Sequence, residues 1–378
     1  MSIYVVQSGD TIDRIAEQYG ADVTEIAYIN QIPYPYRLAV GQAILIPNQD
    51  SAPAKESAPA RRQIFSTGYA YPFISEWVLD QTLPFLTHLF VFSYGFTTEG
   101  ELVPPQISED RMLQRAEQAG VSSVLVLTPL GEDGRFNNGL ISAVVRDEEV
   151  KRRLIENIST VVEGKNYQGV DVDFEYILAE DRDLFTTFVE DLRENMNAIG
   201  REVSVALAPK TSADQQGLLY QGKDYRGLGQ AADYVLLMTY EWGYTYGPAM
   251  AVAPINKVRQ VVEYALTEIS SEKIHLGIPN YGYDWTLPYV QGVSRAVTIG
   301  NVEAVQIAIE NSAEIQFDDI AQSPFFRYVR ADRQHEVWFE DARSIQQKYN
   351  LIEEYNLRGF GVWQLMRLFR AMWILLEE

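Results

Sequence analysis

The sequence predicts an α/β protein: a (β/α)8 TIM barrel with an α+β insertion between its seventh and eighth strands, preceded by a small βααβ module. Three observations lead there. After residue 62, eight short apolar runs alternate with stretches of helical periodicity. The gap between the last two runs is far too long for a simple crossover. Residues 49–61 repeat a Ser-Ala-Pro-Ala unit that can bury nothing and reads as a semi-extended spacer. The expected boundaries are 2–48 for the small module, 49–61 for the linker and 62–378 for the barrel, with the insertion at about 287–345.

In the small module, Tyr4-Val5-Val6 is a short strand, and Ser8-Gly9-Asp10-Thr11 offers a turn with Asp10 placed to cap a helix bearing Ile12, Ile15, Ala16 and Tyr19. Gly20 stops that helix. Asp22, with Glu25 three residues on, opens a second helix bearing Ile26, Ala27 and Ile29, and Gly41 to Pro47 supplies the closing strand.

In the barrel, strands are expected at Ile64 to Ala70, His88 to Tyr94, Ser123 to Thr128, Gly169 to Phe174, Val203 to Ala208, Tyr234 to Met238, Ile274 to Ile278 and Gly359 to Val362. Helical periodicity fills the gaps, for example at Arg111 to Gln118, Glu148 to Val162, Asp183 to Asn197 and Asn256 to Glu268. Within the insertion, Phe325 to Arg330 and Glu336 to Glu340 read as a hairpin around Ala331-Asp332-Arg333, a wall beside the barrel mouth.

The chemistry concentrates in the fourth strand. Asp171, Asp173 and Glu175 alternate with Val172 and Phe174, so the three acids share one face at roughly 6 to 7 Å intervals. Burying such a row is costly unless protons are shared or partners supplied. Because active sites of these barrels lie at the C-terminal ends of the strands, Glu175 is nearest the substrate. Close like charges behind it favour its protonated form, which suits a general acid. Asp173, on the same strand and below the acid, is badly placed to attack from the opposite face of a sugar. That leaves a substrate's own 2-acetamido oxygen as the natural nucleophile.

Composition narrows the partners. With 31 basic and 52 acidic residues the formal charge is −21, which argues against nucleic acid and anionic membrane surfaces. There is no cysteine, hence no disulfide framework, and His88, His275 and His335 show no ligand spacing, so neither metal nor cofactor is expected. The opening residues lack a basic and apolar signal pattern, and no apolar run approaches a membrane span.

Tyr4 to Ile12, Asn30 and Val40 to Pro47 together resemble a LysM module. The resemblance implies binding of N-acetylglucosamine-containing glycans by Gly9, Asp10, Thr11 and Ile12 on one side and Asn30, Gln31 and Ile32 on the other. The run at 168–175 resembles the Asp-x-x-Asp-x-Asp-x-Glu signature of glycoside hydrolase family 18, with Gln168 in place of the first Asp. That resemblance implies Glu175 as proton donor and later base, Asp173 orienting the N-acetyl group and Asp171 tuning Asp173. Losing the first Asp is expected to remove a charge from the buried end of the row. Met238-Thr239-Tyr240-Glu241 is similar to the family's Met-x-Tyr-Asp motif, implying that Tyr240 hydrogen-bonds the acetamido oxygen while Met238 and Glu241 contact the sugar. Asn280 and Tyr281 fall in the strand-seven motif, and Trp363 is the expected apolar floor. The Ser-x-Gly-Gly signature is replaced by Leu127-Thr128-Pro129-Leu130-Gly131.

Together the modules resemble the spore germination and cortex-lytic branch of the family. This implies a peptidoglycan β-N-acetylglucosaminidase of retaining, substrate-assisted mechanism, monomeric, spore-associated and made in the cytoplasm without a signal peptide. The alternatives are a chitinase, since chitin presents the same sugar to both modules, and a catalytically silent glycan-binding protein, which the retained Glu175 disfavours.

Overall fold

The computed structural model describes residues 1–47, 64–131 and 133–376; the expected linker at 49–61 lies outside the described residues. Eight parallel strands close on themselves in sequence order: Phe65–Ala70, His88–Phe96, Ser122–Leu127, Gly169–Val172, Glu202–Leu207, Tyr234–Leu237, Ile274–Pro279 and Gly359–Trp363. The eighth strand pairs with the first (Gly361 opposite Thr67) and the first with the second (Gly68 opposite Leu89), which completes the ring. Each expected strand is present, with ends shifted by a residue or two. Val170, Val172 and Phe174 point outward onto the helix Arg182–Ala198, where Phe174 stacks on Phe188 with ring centres 5.8 Å apart. That outward packing is what turns Asp171 and Asp173 inward.

The insertion is larger than expected at its start. Gly282–Thr286 leaves the barrel and becomes a strand of a five-stranded antiparallel sheet with Val297–Ile299, Gln316–Asp318, Ser323–Arg330 and Arg333–Trp338. The expected hairpin exists, but its loop is only Ala331-Asp332, with φ of 48° and 58°. Two successive left-handed residues match the right-handed twist of the flanking strands. The second expected hairpin strand therefore begins at Arg333 instead of Glu336.

The small module has the expected order of strand, helix, helix, strand, with Ser2–Val5 antiparallel to Ala43–Ile46. Asp10 does not cap the first helix. Thr11 does, accepting from the Arg14 amide, while Asp10 accepts from the Tyr4 hydroxyl and the Gln7 amide at 2.7 Å each and so locks the preceding turn. Gly20 ends the helix at φ 64°, and Asp22 caps the next one.

The module is docked on the barrel. In the closing strand Ile44 and Ile46 face the module's own core, whereas Leu45, together with Ile29, packs into the barrel's core. Arg370, almost fully buried, donates to the Tyr28 carbonyl at 2.7 Å and lies 3.8 Å from the centre of the Tyr28 ring. Gln31 accepts from the Arg370 amide at 2.7 Å and donates to the Leu368 carbonyl at 3.2 Å. On the other flank the Ile315 amide donates to Val40, and Arg343 donates to the Gly41 carbonyl.

Gly41 is the tightest point of this joint. Its φ is 82°, and a Cβ there would stand 1.8 Å from the Ile315 carbonyl oxygen. Gly41→Val should cost more than about 1 kcal/mol through combined strain and overlap. A fall in melting temperature, with faster amide exchange at residues 39–42 and 315, is the expected result.

Candidate active site

The site is built on the end of the fourth strand, where the acid row climbs from the barrel interior to the mouth. Asp171 is fully buried and satisfied: the Tyr69 hydroxyl donates to it at 2.9 Å and the Ser204 hydroxyl at 2.6 Å. Burial nevertheless lifts its carboxyl to about 6, with both hydroxyls working against that rise. Asp173 is 8% exposed, and its Oδ1 is buried without a hydrogen-bond partner. Burial, then the charges of Glu175 and Asp171, push its carboxyl well above the usual carboxylate range. Glu175 stands highest and half-buried, its own affinity for a proton raised by burial. A proton shared within this pair is cheaper than two anions in the same low-dielectric space.

Strand six brings the second group. Just beyond its end, the Thr239 hydroxyl donates to the Gly277 carbonyl at 2.7 Å and ties strand six to strand seven. Gly277 has no side chain for a reason: a Cβ would lie 2.9 Å from the Tyr240 ring and 2.3 Å from the Leu237 carbonyl. Tyr240 can thus lie across strand seven and reach the cavity. Glu241, at a φ of 68°, accepts hydrogen bonds from Tyr281 and, at 2.9 Å, from Tyr283. Burial of its carboxyl raises its affinity for a proton and the two hydroxyls lower it, although the residue as a whole is exposed.

These residues surround a cavity of about 620 Å3 whose walls include Asp173, Glu175, Met238, Tyr240, Glu241 and Trp363. Trp363 sits edge-on to Phe92 at 4.9 Å and to Tyr69 at 5.7 Å, an aromatic bed that holds its indole in place. Asp171 lies beneath the cavity and acts only through its neighbours. Asn280 and Tyr281 do not line it. The Asn280 amide donates to the Gln364 and Arg367 carbonyls at 3.0 and 2.8 Å, which fixes the loop after Trp363. Tyr281 serves as a prop for Glu241.

Sequence reasoning missed the cavity's aromatic rim: Tyr71, Phe92, Phe136, Tyr176, Tyr220 and Tyr244. Tyr176 and Tyr244 adjoin the motifs and were open to notice; Tyr71 and Phe136 come from other strand ends and have no local signature. A second groove of about 410 Å3 shares Tyr71, Phe92 and Phe136 with the first and runs on past Pro104, Pro105 and Ile107. Among the described residues its walls carry no charged side chain. Gln168, expected at the buried end of the acid row, is instead at the opposite mouth of the barrel, donating to Asn166. An offset of three from Asp171 puts it on the other face of the strand, so its lost charge does not reach the acids. Where Ser-x-Gly-Gly is lacking, Thr128 pairs with the Ser93 hydroxyl at 2.9 Å. Among the described residues no cluster of His, Asp and Glu is arranged to hold a metal ion, and no helix is long and apolar enough to cross a membrane.

Residues 65–367 match the family described as Glycosyl hydrolases family 18, and residues 4–47 match the LysM domain. The chain belongs to glycosyl hydrolase family 18. Among relatives of this family 18 chain, the cortical fragment-lytic enzyme of Bacillus subtilis (strain 168) is 41% identical over 424 aligned positions, covering 100% of this chain and 98% of that protein. The spore cortex-lytic enzyme SleL of Bacillus megaterium QM B1551 superposes with a TM-score of 0.92 at 33% identity, over 99% of this chain and 97% of that one. A chitinase of Chromobacterium violaceum ATCC 12472 shares the fold, with a TM-score of 0.77 at 23% identity over 83% of this chain and 98% of its own. The protein is therefore a glycoside hydrolase with an N-terminal LysM domain.

The family 18 acid row has a consequence for stability. A carboxyl whose folded affinity for protons is raised adds stability at low pH and loses it as pH rises through the folded value. Asp173→Asn should thus melt at a higher temperature than the parent at pH 8. The gap should narrow toward pH 4, as the parent's own Asp173 becomes protonated, while turnover falls at least about a hundredfold through loss of the group beside the acid. Melting curves at several pH values check the first part and initial rates the second.

Proposed function

We propose that the chain is a spore cortex hydrolase, a β-N-acetylglucosaminidase that cleaves the glycan of peptidoglycan with retention of configuration. One observation carries this reading: Glu175 faces the cavity, and its carboxylate neighbour Asp173 lies beneath it on the segment that continues the fourth strand. The further carboxylate on the wall, Glu241, is engaged by two tyrosine hydroxyls, which suits holding a sugar more than attacking one. Attack then falls to the substrate's 2-acetamido carbonyl oxygen, which displaces the leaving oxygen as Glu175 donates its proton. Glu175, now a carboxylate, takes a proton from water that opens the oxazolinium ring from the face the leaving group vacated. The unpartnered Oδ1 of Asp173 is available for the acetamido N–H, and Tyr240 for the carbonyl oxygen as charge develops on it. Trp363 offers an apolar face to the C–H side of the pyranose.

Peptidoglycan is favoured over chitin by the full-length relatives, named as cortical fragment-lytic and spore cortex-lytic enzymes, and the same names support a spore-associated location. For the LysM domain, the reading narrows to one side of the motif. Gly9 and Thr11 are exposed and Asp10 is half-exposed, whereas Ile12 and Ile32 are buried in the domain core. Asn30 is spent on the Ile26 and Leu45 backbone, and Gln31 on the joint with the barrel. We therefore assign glycan contact to the first loop.

Glu175→Gln should lower turnover of cortex fragments by more than about a thousandfold, the proton donor being lost. Mass spectrometry of digests of purified cortex by the parent enzyme should find N-acetylglucosamine at the new reducing end. Muramic acid at that end, or faster release from chito-oligosaccharides than from cortex fragments, would overturn the assignment. For Tyr240→Phe the expected signature is a fall in kcat of about tenfold or more with KM little changed, because its bond strengthens as the reaction proceeds.

A further inference from the structure

Lys223 belongs to no motif, yet it is 1% exposed in the loop that follows the fifth barrel strand. Its Nζ donates to the Phe174 carbonyl and, at 3.0 Å, to the Ala206 carbonyl, and lies 5.4 Å from the centre of the Phe185 ring. Lys210 holds the loop from the other side by donating to the Lys223 carbonyl at 3.0 Å. The ladder between strands four and five ends at Val172 opposite Val205. Past that point the Phe174 carbonyl, set between Asp173 and Glu175, is bound by this ammonium where a strand amide would otherwise stand.

The surroundings explain why a cation is tolerated there. Asp171 and Asp173 precede Glu175 on its own segment, Tyr69 and Tyr71 face them from the end of the first strand and just beyond it, Tyr176 adjoins, and Tyr240 and Glu241 face Glu175 from the segment after the sixth. Lys223 brings positive charge to this otherwise acidic and phenolic group, and its influence on Glu175 opposes that of burial. We propose that Lys223 is a positioning residue for the catalytic acid: its ammonium staples the Asp173-Phe174-Glu175 backbone to strand five and sets a buried positive charge on the carbonyl next to Glu175. The inference rests on Glu175 being the acid. Its failure is separable from the failure of that reading, because inactivity of Glu175→Gln tests the acid alone.

The test is the pH dependence of kcat/KM on cortex fragments for Lys223→Met and Lys223→Arg, each with its melting temperature. Without the cation Glu175 keeps its proton to higher pH. The basic limb of Lys223→Met should therefore move up by about one pH unit or more, with kcat lowered about tenfold. Lys223→Arg, which keeps the charge, should leave the limb where the parent has it. An unmoved limb in folded Lys223→Met, or a shift shared equally by Lys223→Arg, would overturn the proposal. A second arm leaves Lys223 intact. NMR of lysine labelled at the ε-carbon should place the Lys223 midpoint near 8 in the parent and lower in Glu175→Gln, where the facing anion is gone. Equal midpoints in the two chains would also overturn it.

Discussion

Withdrawing three carboxyl groups from water along one strand and the segment that continues it is the demand that organises the catalytic half of this molecule. Desolvation of that kind is tolerated only when each group finds a bond, a proton or a countercharge. The three acids obtain different shares. Asp171 receives two hydroxyl donors, Asp173 is left with a bare oxygen, and Glu175 reaches the cavity. The unevenness is what makes the row useful. A fully satisfied triplet would be a structural feature, whereas this one has a carboxyl at its upper end whose proton affinity burial raises and an unspent acceptor beside it.

Much of this was legible from residue order. Alternation over Gly169–Tyr176 put the acids on one face, and the outward packing of Val172 and Phe174 depends on the same alternation. Eight apolar runs gave the barrel because buried parallel strands have few other ways to read. What the sequence hid falls into two kinds. Competition among turn groups is one: Asp10 and Thr11 both suit a cap, and the choice went to Thr11 because the Tyr4 hydroxyl and the Gln7 amide claimed Asp10. Long-range assembly is the other. Lys223 and Phe136 reach the site from separate loops, and no spacing in the chain connects them to Glu175.

Asn280, Tyr281 and Asp171 show how motif residues divide once side chains are placed. A motif records that a position matters without recording how. Asn280 holds the loop after Trp363 by two backbone carbonyls, and Tyr281 orients Glu241. Both bear on the cavity only through another residue. The groove beside the cavity, whose described walls are aromatic, prolyl and aliphatic with a few uncharged polar groups, offers surface of a different kind from the acidic centre.

The seat of the LysM domain is made by residues far along the chain: Gln31 meets Leu368 and Arg370 across a separation of more than 330 positions. During synthesis, the N-terminal module therefore emerges long before the surface that receives it exists. Leu45 and Ile29, which pack in the layer between the barrel and its outer helices, lack that cover through the interval. The clasp by Arg370 thus joins the first module of the chain to residues made only after the eighth strand.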